Sequence, residues 1–490
     1  MATIDLSLER INRLVSHLPP YTRPTIHITG TNGKGSVTSI VASILCESGM
    51  KVGKFNSPHL LHPRDSIQIG EKPVEQQRYD TVCKRVEGVD YDIKNKLTDV
   101  DGGEIMGASP FEVLTATALQ IFEEEQVDMA VIEVGMGGRL DATNILPHEG
   151  VIKVSAMTMV DLDHTKWLGS TISAIAQEKA GIARRDAPFV LGPQRSECLE
   201  EVENAVQGIL ERIGTVIRPG AKVSPLPIPD GQATTLGSTI FPPPPTKVVY
   251  TPRHRGEPFI LDLALRGVHQ VDNLSTALGI IECLQEQQDS KTSHPITLGA
   301  ISRGVANTRW PGRLEFIQYT FETQKSVILL DGAHNVSSAI ALRTYIDTIL
   351  PQGFKPAPNS NFDNTRPVSF VIALSDSPPK TPSDTLTPLL RPGDRVAVAR
   401  FSNVEGMPWV RPVDIDEIRH VAKSLVGNTG EMWDGEWSFE PNGNLKSLEE
   451  ALKWAGGNAG EGLVVVAGSL YLAADFYRLM EAYPQKFQRL

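Results

Sequence analysis

The stretch Thr25-Ile26-His27-Ile28-Thr29-Gly30-Thr31-Asn32-Gly33-Lys34-Gly35-Ser36 constrains this chain more than any other. Thr25 to Thr29 is a short β-branched run, the pattern of a buried strand. A glycine-dense turn follows. Val37, Ile40, Val41, Ile44 and Leu45 then mark one face of a helix running to Glu47. Strand, glycine turn with a lysine, and helix is an arrangement that holds polyphosphate. Gly30, Gly33 and Gly35 let backbone N–H groups curl around phosphate oxygens, and the helix N-terminus adds partial positive charge. Lys34 supplies a full charge, and the Ser36 hydroxyl can ligate Mg²⁺. The common phosphate loop has four residues between its first glycine and its Gly-Lys pair; here Thr31 and Asn32 alone separate Gly30 from Gly33. An ordinary glycine turn is the plain alternative. Lys34 and Ser36 favour a nucleotide loop of a particular kind.

A chain of 490 residues exceeds one core and calls for two or three domains. The net charge of −11 argues against general binding to nucleic acid or anionic membrane, so an anionic substrate must be captured by local Lys, Arg, Mg²⁺ and backbone amides. Cys46, Cys83, Cys198 and Cys283 are scattered, with no pair at metal-ligand spacing, as in a reducing compartment. No apolar run approaches the roughly 18 residues that span a bilayer. The N-terminus carries neither a signal peptide's apolar stretch nor a transit peptide's arginines, which makes the cytosol the default and leaves mitochondria open.

Alternating strand and helix patterns over the first two hundred or so residues predict a mostly parallel α/β sheet. Glu87 to Gly107 reads as a polar loop, and Pro219 to Thr246 as an irregular Pro-rich excursion. A boundary near Asn307 to Gly312 opens a fresh α/β pattern, giving domains 1–308 and 309–490. In that second part Pro356 to Pro367 and Asn428 to Asn444 read as surface insertions.

Chemistry-bearing groups cluster just past apolar runs, where parallel sheets present ligands. Asp128 to Val134 ends on Glu133, placed to ligate Mg²⁺, with a capping carboxylate as the alternative. Gly135 to Asn144 follows, allowing close approach of substrate. His164, in Leu162-Asp163-His164-Thr165, is either a second metal ligand or a structural histidine. Lys179 lies in a helical pattern, where a lysine is ordinarily solvated.

In one order the chain carries Gly-Thr-Asn-Gly-Lys-Gly-Ser (30–36), Ser-Pro-His-Leu (57–60), Glu-Val-Gly-Met-Gly-Gly-Arg-Leu-Asp-Ala-Thr-Asn (133–144), Leu-Asp-His-Thr (162–165) and Glu-Lys-Ala-Gly (178–181). Val-His-Gln-Val-Asp-Asn (268–273), Arg-Trp-Pro-Gly-Arg (309–313) and Leu-Asp-Gly-Ala-His-Asn (330–335) continue it. That order resembles the folylpolyglutamate synthase and dihydrofolate synthase family of the Mur ligase superfamily, over nearly the whole chain outside the insertions. The resemblance implies a P-loop ATPase-type parallel sheet with flanking helices and a smaller C-terminal Rossmann-like α/β domain.

It further implies that Gly30 to Val37, including Thr31, Asn32 and Lys34, hold ATP, and that Asn273 reads adenine. Arg313, Asp331 and His334 would contact phosphate, ribose and base. Ser36, Glu133 and His164 would ligate Mg²⁺. Lys179 matches a lysine carbamylated in many members, which would make it an anionic ligand. Lys34, His164, Lys179 and Arg313 thereby carry the catalytic expectation. Ser57, Pro58, His59, Leu60, Phe111 and Asp141 lie where relatives bind the pteroate substrate. The implied reaction joins L-glutamate to a carboxylate through an acyl phosphate, with a monovalent cation such as K⁺ a further expectation. Domain closure would complete the site, and a monomer is expected. Within the family, Pro63-Arg64-Asp65-Ser66-Ile67 replaces the Arg-Glu-Arg-Ile type of polyglutamate synthases. Asn403 to Trp409 is similar to fungal dihydrofolate synthases. Dihydropteroate is therefore favoured over reduced folate as acceptor. A folylpolyglutamate synthase, a bifunctional enzyme and, more remotely, a non-catalytic nucleotide switch are the alternatives.

Overall fold

The computed structural model describes residues 7–96, 106–147, 150–226, 242–254, 256–289, 293–350, 367–437, 443–459 and 463–490. They form two compact units. The first runs to Leu226 and resumes over Thr246–Ala264 and His269–Trp310; the second holds Leu265–Val268 and the chain from Pro311.

The first unit is built on strands β1 (Thr25–Thr29), β2 (Val52–Phe55), β3 (Ile67–Ile69), β4 (Lys72–Pro73), β5 (Met129–Glu133), β6 (Ile152–Met157), β7 (Phe189–Leu191) and β8 (Ile217–Pro219). Their order is β4-β3-β2-β5-β1-β6-β7-β8. From β2 to β8 neighbours run parallel, and the antiparallel β3 and β4 finish one edge. β1 lies between β5 and β6 and is buried throughout, so its polar residues Thr25, His27 and Thr29, which alternate with Ile26 and Ile28, are enclosed as well. One side of the sheet is covered by a core that includes Ile11, Leu14, Phe55, Phe122 and Ile132. Truncating Phe122 in such a core costs about 3–5 kcal/mol.

The helix Pro110–Glu124 starts in a capping box. Ser109 Oγ accepts from Glu112 N at 3.3 Å, and the Glu112 carboxylate accepts from Ser109 N at 2.6 Å. The expected loop from Glu87 is instead the second half of a helix, Gln76–Lys96; residues 97–105 lie outside the described chain. Val82, Val86 and Ile93 of this helix are buried at seven- and four-residue spacings that its many charges obscure in the sequence.

The flanks of the Pro-rich stretch are also ordered differently from expectation. β9 (Lys222–Pro225), β10 (Thr246–Thr251) and β11 (Phe259–Leu263) make a three-stranded antiparallel sheet; residues 227–241 lie outside the described chain.

The second unit holds β12 (Glu315–Phe321), β13 (Gln324–Leu330), β14 (Ser369–Ile372), β15 (Arg395–Val398), β16 (Glu431–Met432), β17 (Leu463–Ala467) and β18 (Phe487–Arg489). The order is β16-β15-β14-β17-β13-β12-β18, parallel from β16 to β13 and antiparallel beyond. The helix Val336–Ile349 follows β13, its first turn capped by Asn335 Oδ1, which accepts from Ser338 N at 2.9 Å. The segment expected as an insertion from Asn428 contains β16, and Trp433 and Trp437 are buried against each other, ring centroids 6.3 Å apart. Two large apolar rings draw that segment onto the unit. Most of Pro356–Pro367 lies outside the described residues. Among the described residues no helix is long and apolar enough to cross a membrane.

Candidate active site

The loop after β1 stands at the carboxyl edge of the first sheet. Gly33 occupies the N-cap of the helix Lys34–Glu47 with φ of +91°, and a Cβ there would come within 2.1 Å of Asn273 Oδ1. A side chain at this position is both strained and blocked. A Cβ on Gly35 would lie 2.4 Å from Cζ2 of Trp310.

The backbone of the loop is laced to the segment after β6. Thr31 N donates to Met159 O at 2.9 Å, Thr158 Oγ1 to Asn32 O at 2.7 Å and Thr31 Oγ1 to Asp161 O at 3.1 Å. Lys34 Nζ donates back to Thr31 O at 3.2 Å. Ser36 Oγ accepts from Gln270 Nε2 at 3.3 Å, and Gln270 Oε1 accepts from Asn273 Nδ2 at 2.9 Å. Gln270 and Asn273 sit one turn apart on the helix His269–Gln287. Val37 has a fully buried side chain, and its N–H donates to Gly33 O at 2.9 Å, so that amide is spent within the helix.

Glu133 closes β5 beside this loop. It is buried, its Oε1 lies 4.0 Å from Lys34 Nζ and its Oε2 accepts from Asn56 Nδ2 at 2.6 Å. Lys179, far along the sequence, reaches the same place: its Nζ donates to Gly30 O at 2.8 Å. Burial, reinforced by the neighbouring Lys34 charge and opposed by Asp163 and Asp141, brings its pKa down to about 7. His164 stands exposed at the N-cap of a short helix, Thr165–Leu168, with φ of +52°, and its N–H is held by Asp163 Oδ1 at 2.8 Å.

Among the described residues no group of three or more His, Cys, Asp and Glu gathers as a metal cage. What the loop offers is the Glu133 carboxylate, pinned by an amide and facing an ammonium, with the Ser36 hydroxyl beside it. That donor set fits Mg²⁺, which binds through one or two carboxylates, substrate phosphates and retained waters. Asn56 adds a buried Oδ1 without a hydrogen-bond partner beside it.

Two of the expected acceptor residues, Phe111 and Asp141, meet at Gly135. A Cβ there would meet Phe111 Cζ at 2.5 Å and Asp141 Oδ2 at 3.1 Å. Asp141 is buried and accepts from Met136 N at 2.8 Å, Thr143 N at 2.9 Å and Thr143 Oγ1 at 2.6 Å. Its pKa is raised by burial, against the pull of those donors. Phe111 lies 6.2 Å from Phe55, ring to ring. Ser57 to Leu60 continue from β2, with His59 buried and Pro58 exposed.

In the second unit, Arg313, Asp331 and His334 meet at the end of β13. Asp331 is buried and accepts from Leu314 N at 2.9 Å and Ala333 N at 2.8 Å. Burial raises its pKa, and Arg313 draws it back. A Cβ on Gly332 would sit 2.2 Å from Arg313 Nη1. His334 is exposed, its Nδ1 2.9 Å from Gly332 O.

Sequence reasoning missed three residues near these sites. Arg184 is buried and, among the described residues, has no carboxylate in hydrogen-bond reach; it donates to Asn144 Oδ1 at 2.9 Å and to carbonyls of Ile182 and Ala183 at 3.1 Å, tying the Lys179 segment to the Asp141 segment. Lys54 is a buried ammonium on β2, and Trp310 covers Gly35. The signal for Lys54 was its place between Val52, Gly53 and Phe55, inside a strand with no solvated face.

A glycine-and-lysine loop at the head of a parallel sheet and a separate α/β unit with an ionic corner fit the class of ATP-dependent ligases that the sequence resembles. Comparison with known proteins narrows this. The family model described as dihydrofolate synthetase, C-terminal domain, matches residues 313–479. The chain is 34% identical over 482 residues to the dihydrofolate synthetase of Saccharomyces cerevisiae, covering 97% of this chain and 98% of that protein. It is 32% identical over 480 residues to a probable dihydrofolate synthetase of Schizosaccharomyces pombe, covering 98% and 99%. Among solved structures, the folylpolyglutamate synthase of Mycobacterium tuberculosis complexed with ADP and AMPPCP superposes with a TM-score of 0.73 at 26% identity, covering 96% of this chain and 95% of that one. The chain belongs to the dihydrofolate synthase and folylpolyglutamate synthase family of ligases.

Proposed function

We propose that this ligase adds L-glutamate to the carboxylate of dihydropteroate at the expense of ATP, giving dihydrofolate. The observation that carries the chemistry is the buried carboxylate of Glu133, held between Lys34 and Asn56 at the mouth of the phosphate loop. The acceptor choice is supported by full-length likeness to proteins named dihydrofolate synthetase, against 28% identity over 452 residues to the folylpolyglutamate synthase of Lacticaseibacillus casei.

A carboxylate is a poor electrophile, and oxide is a poor leaving group. Phosphorylation cures both: the acceptor carboxylate attacks the γ-phosphorus in line, ADP leaves, and an acyl phosphate forms. Lys34 and the amides of the helix N-terminus stabilise charge on the transferring group. The glutamate amine then attacks the acyl carbon, and phosphate departs with the electron pair of the C–O bond. Mg²⁺, held by Ser36, Glu133 and His164, would neutralise charge on the phosphates. Lys179 supports a further reading. A lysine whose pKa has fallen to about 7 offers the neutral amine that takes up carbon dioxide, loses a proton and becomes an anionic carbamate. Phe111 and Asp141, gathered at Gly135, are proposed to bound the acceptor site. Asn273 reads adenine; Arg313, Asp331 and His334 hold the rest of the nucleotide. Four free cysteines suit a cytosolic setting, and a monomer carries every residue named here.

The test is ADP release with Mg²⁺, ATP and glutamate, adding dihydropteroate or tetrahydrofolate in parallel. Turnover with dihydropteroate alone is expected. Turnover with tetrahydrofolate alone would overturn the acceptor choice, and silence with both would overturn the ligase reading.

A further inference from the structure

Glycine-rich loops are mobile unless something packs them, because nothing on the glycine itself resists rotation. Here the helix-side glycine, Gly35, is packed by the indole of Trp310: Cζ2, Cε2 and Nε1 stand 2.4, 2.8 and 3.2 Å from where a Cβ would be. No side chain larger than hydrogen leaves room for that ring. Trp310 is half-buried and is brought to the loop from a segment some 270 residues downstream.

The ring is itself gripped from the sheet. Lys54 Nζ lies 5.2 Å from its centroid, within cation–π range. The same ammonium donates to Ser39 Oγ at 3.3 Å. Gly35 and Ser39 are four residues apart on one helix, so they share a face. Ring and ammonium therefore bracket the first turn of the helix in a closed circuit: Gly35 to Trp310, Trp310 to Lys54, Lys54 to Ser39. A buried lysine is an unusual choice for filling space, since aliphatic side chains fill it without the cost of desolvating a charge. Burial lowers the Lys54 pKa to about 8, against the pull of Cys46, Glu133 and Glu71, so the group is mostly protonated at neutral pH.

We propose that Trp310 and Lys54 are positioning residues for the phosphate loop, the indole fixing Gly35 and the ammonium fixing the indole. Neither touches substrate in this account. Their effect is exerted through the loop amides, and the inference rests on the reading of that loop as the nucleotide site.

The experiment measures ADP affinity by titration calorimetry, and KM for ATP against kcat, in the wild type and in Trp310→Ala, Trp310→Phe, Lys54→Met and the Lys54→Met/Trp310→Ala double variant. ADP binding by the wild type tests the nucleotide reading independently. Trp310→Ala is expected to weaken ADP roughly tenfold, with Trp310→Phe within about threefold of wild type because a flat ring over Gly35 and under the ammonium is retained. Lys54→Met is expected to weaken it about fivefold, and the double variant no more than Trp310→Ala alone, since the lysine acts through the ring. KM for ATP should rise more than kcat falls. If Trp310→Ala does not fold, Lys54→Met together with Trp310→Phe decides. ADP affinity unchanged in Lys54→Met, or fully additive losses in the double variant, would overturn the proposal. So would loss of thermal stability in Trp310→Ala with unaltered affinity.

Discussion

Two buried carboxylates stand at the carboxyl ends of central strands, one in each unit, and they are held in opposite ways. Asp331, after β13, is fixed by backbone amides of Leu314 and Ala333. Glu133, at the end of β5, is fixed by side chains, the Asn56 amide and the more distant Lys34 ammonium. Backbone donors cannot leave without unfolding the turn that carries them. Side-chain partners can turn away when a stronger charge arrives. Asp331 thus reads as a nucleotide contact whose place is set by the fold itself, and Glu133 as chemistry able to exchange partners.

Removing the ammonium from the Glu133 corner is expected to have the largest effect. Lys34→Met should lower kcat/KM about 10³-fold, roughly 4 kcal/mol of transition-state stabilisation, with little change in thermal stability. Equal losses of activity and stability would erase the distinction between the two corners. Asp331→Ala differs in costing about 2–4 kcal/mol of folding stability besides its nucleotide contact, because two buried N–H groups lose their acceptor. Chemical denaturation of that variant checks it.

Arg313→Ala, which spares the turn, should lower turnover at saturating ATP about tenfold without changing stability. Unchanged turnover would remove Arg313 from the reaction. The smallest effect concerns Lys179. Its pKa near 7 means that the neutral amine gains on the charged one as pH rises through 7. Activity dependent on that amine should climb from pH 6 to 7.5 and level off, and added bicarbonate should steepen the climb. The unfolded chain keeps this proton up to about pH 10.4. The unfolded state therefore binds more protons between pH 7 and 10, and Lys179 makes stability rise with pH across that window. Lys179→Met should flatten both profiles.

Much of the fold was legible. β1, β17 and the helix Val336–Ile349 run over the residues their patterns predict, because each has one unambiguous periodicity. The helix Leu298–Asn307 is not legible in the sequence, and its glycines explain why. Gly304 would mark a break, yet a Cβ there would come within 2.5 Å of Ile44 Cα, so the glycine serves a close helix contact. β12 alternates from Ile317 through Tyr319 to Phe321, with Phe316 buried as well, but it lies beside an expected boundary. The loop was legible because its glycines, lysine and serine are local. Lys54 and Trp310 were not, because what makes them matter is a contact between segments that sequence order keeps apart. Lys179 could be singled out by resemblance alone. Its burial against Gly30 depends on the packing of a distant helix.

Phosphoryl transfer from ATP to the acceptor carboxylate is the central step, and an isotope test reaches it directly. Dihydropteroate carrying ¹⁸O in its carboxylate is turned over with ATP and glutamate, and the inorganic phosphate is analysed by mass spectrometry. One ¹⁸O atom per phosphate is the predicted result, since the acyl phosphate forms through a carboxylate oxygen and breaks at carbon. Unlabelled phosphate alongside labelled amide product would contradict an acyl phosphate and require a different use of the loop.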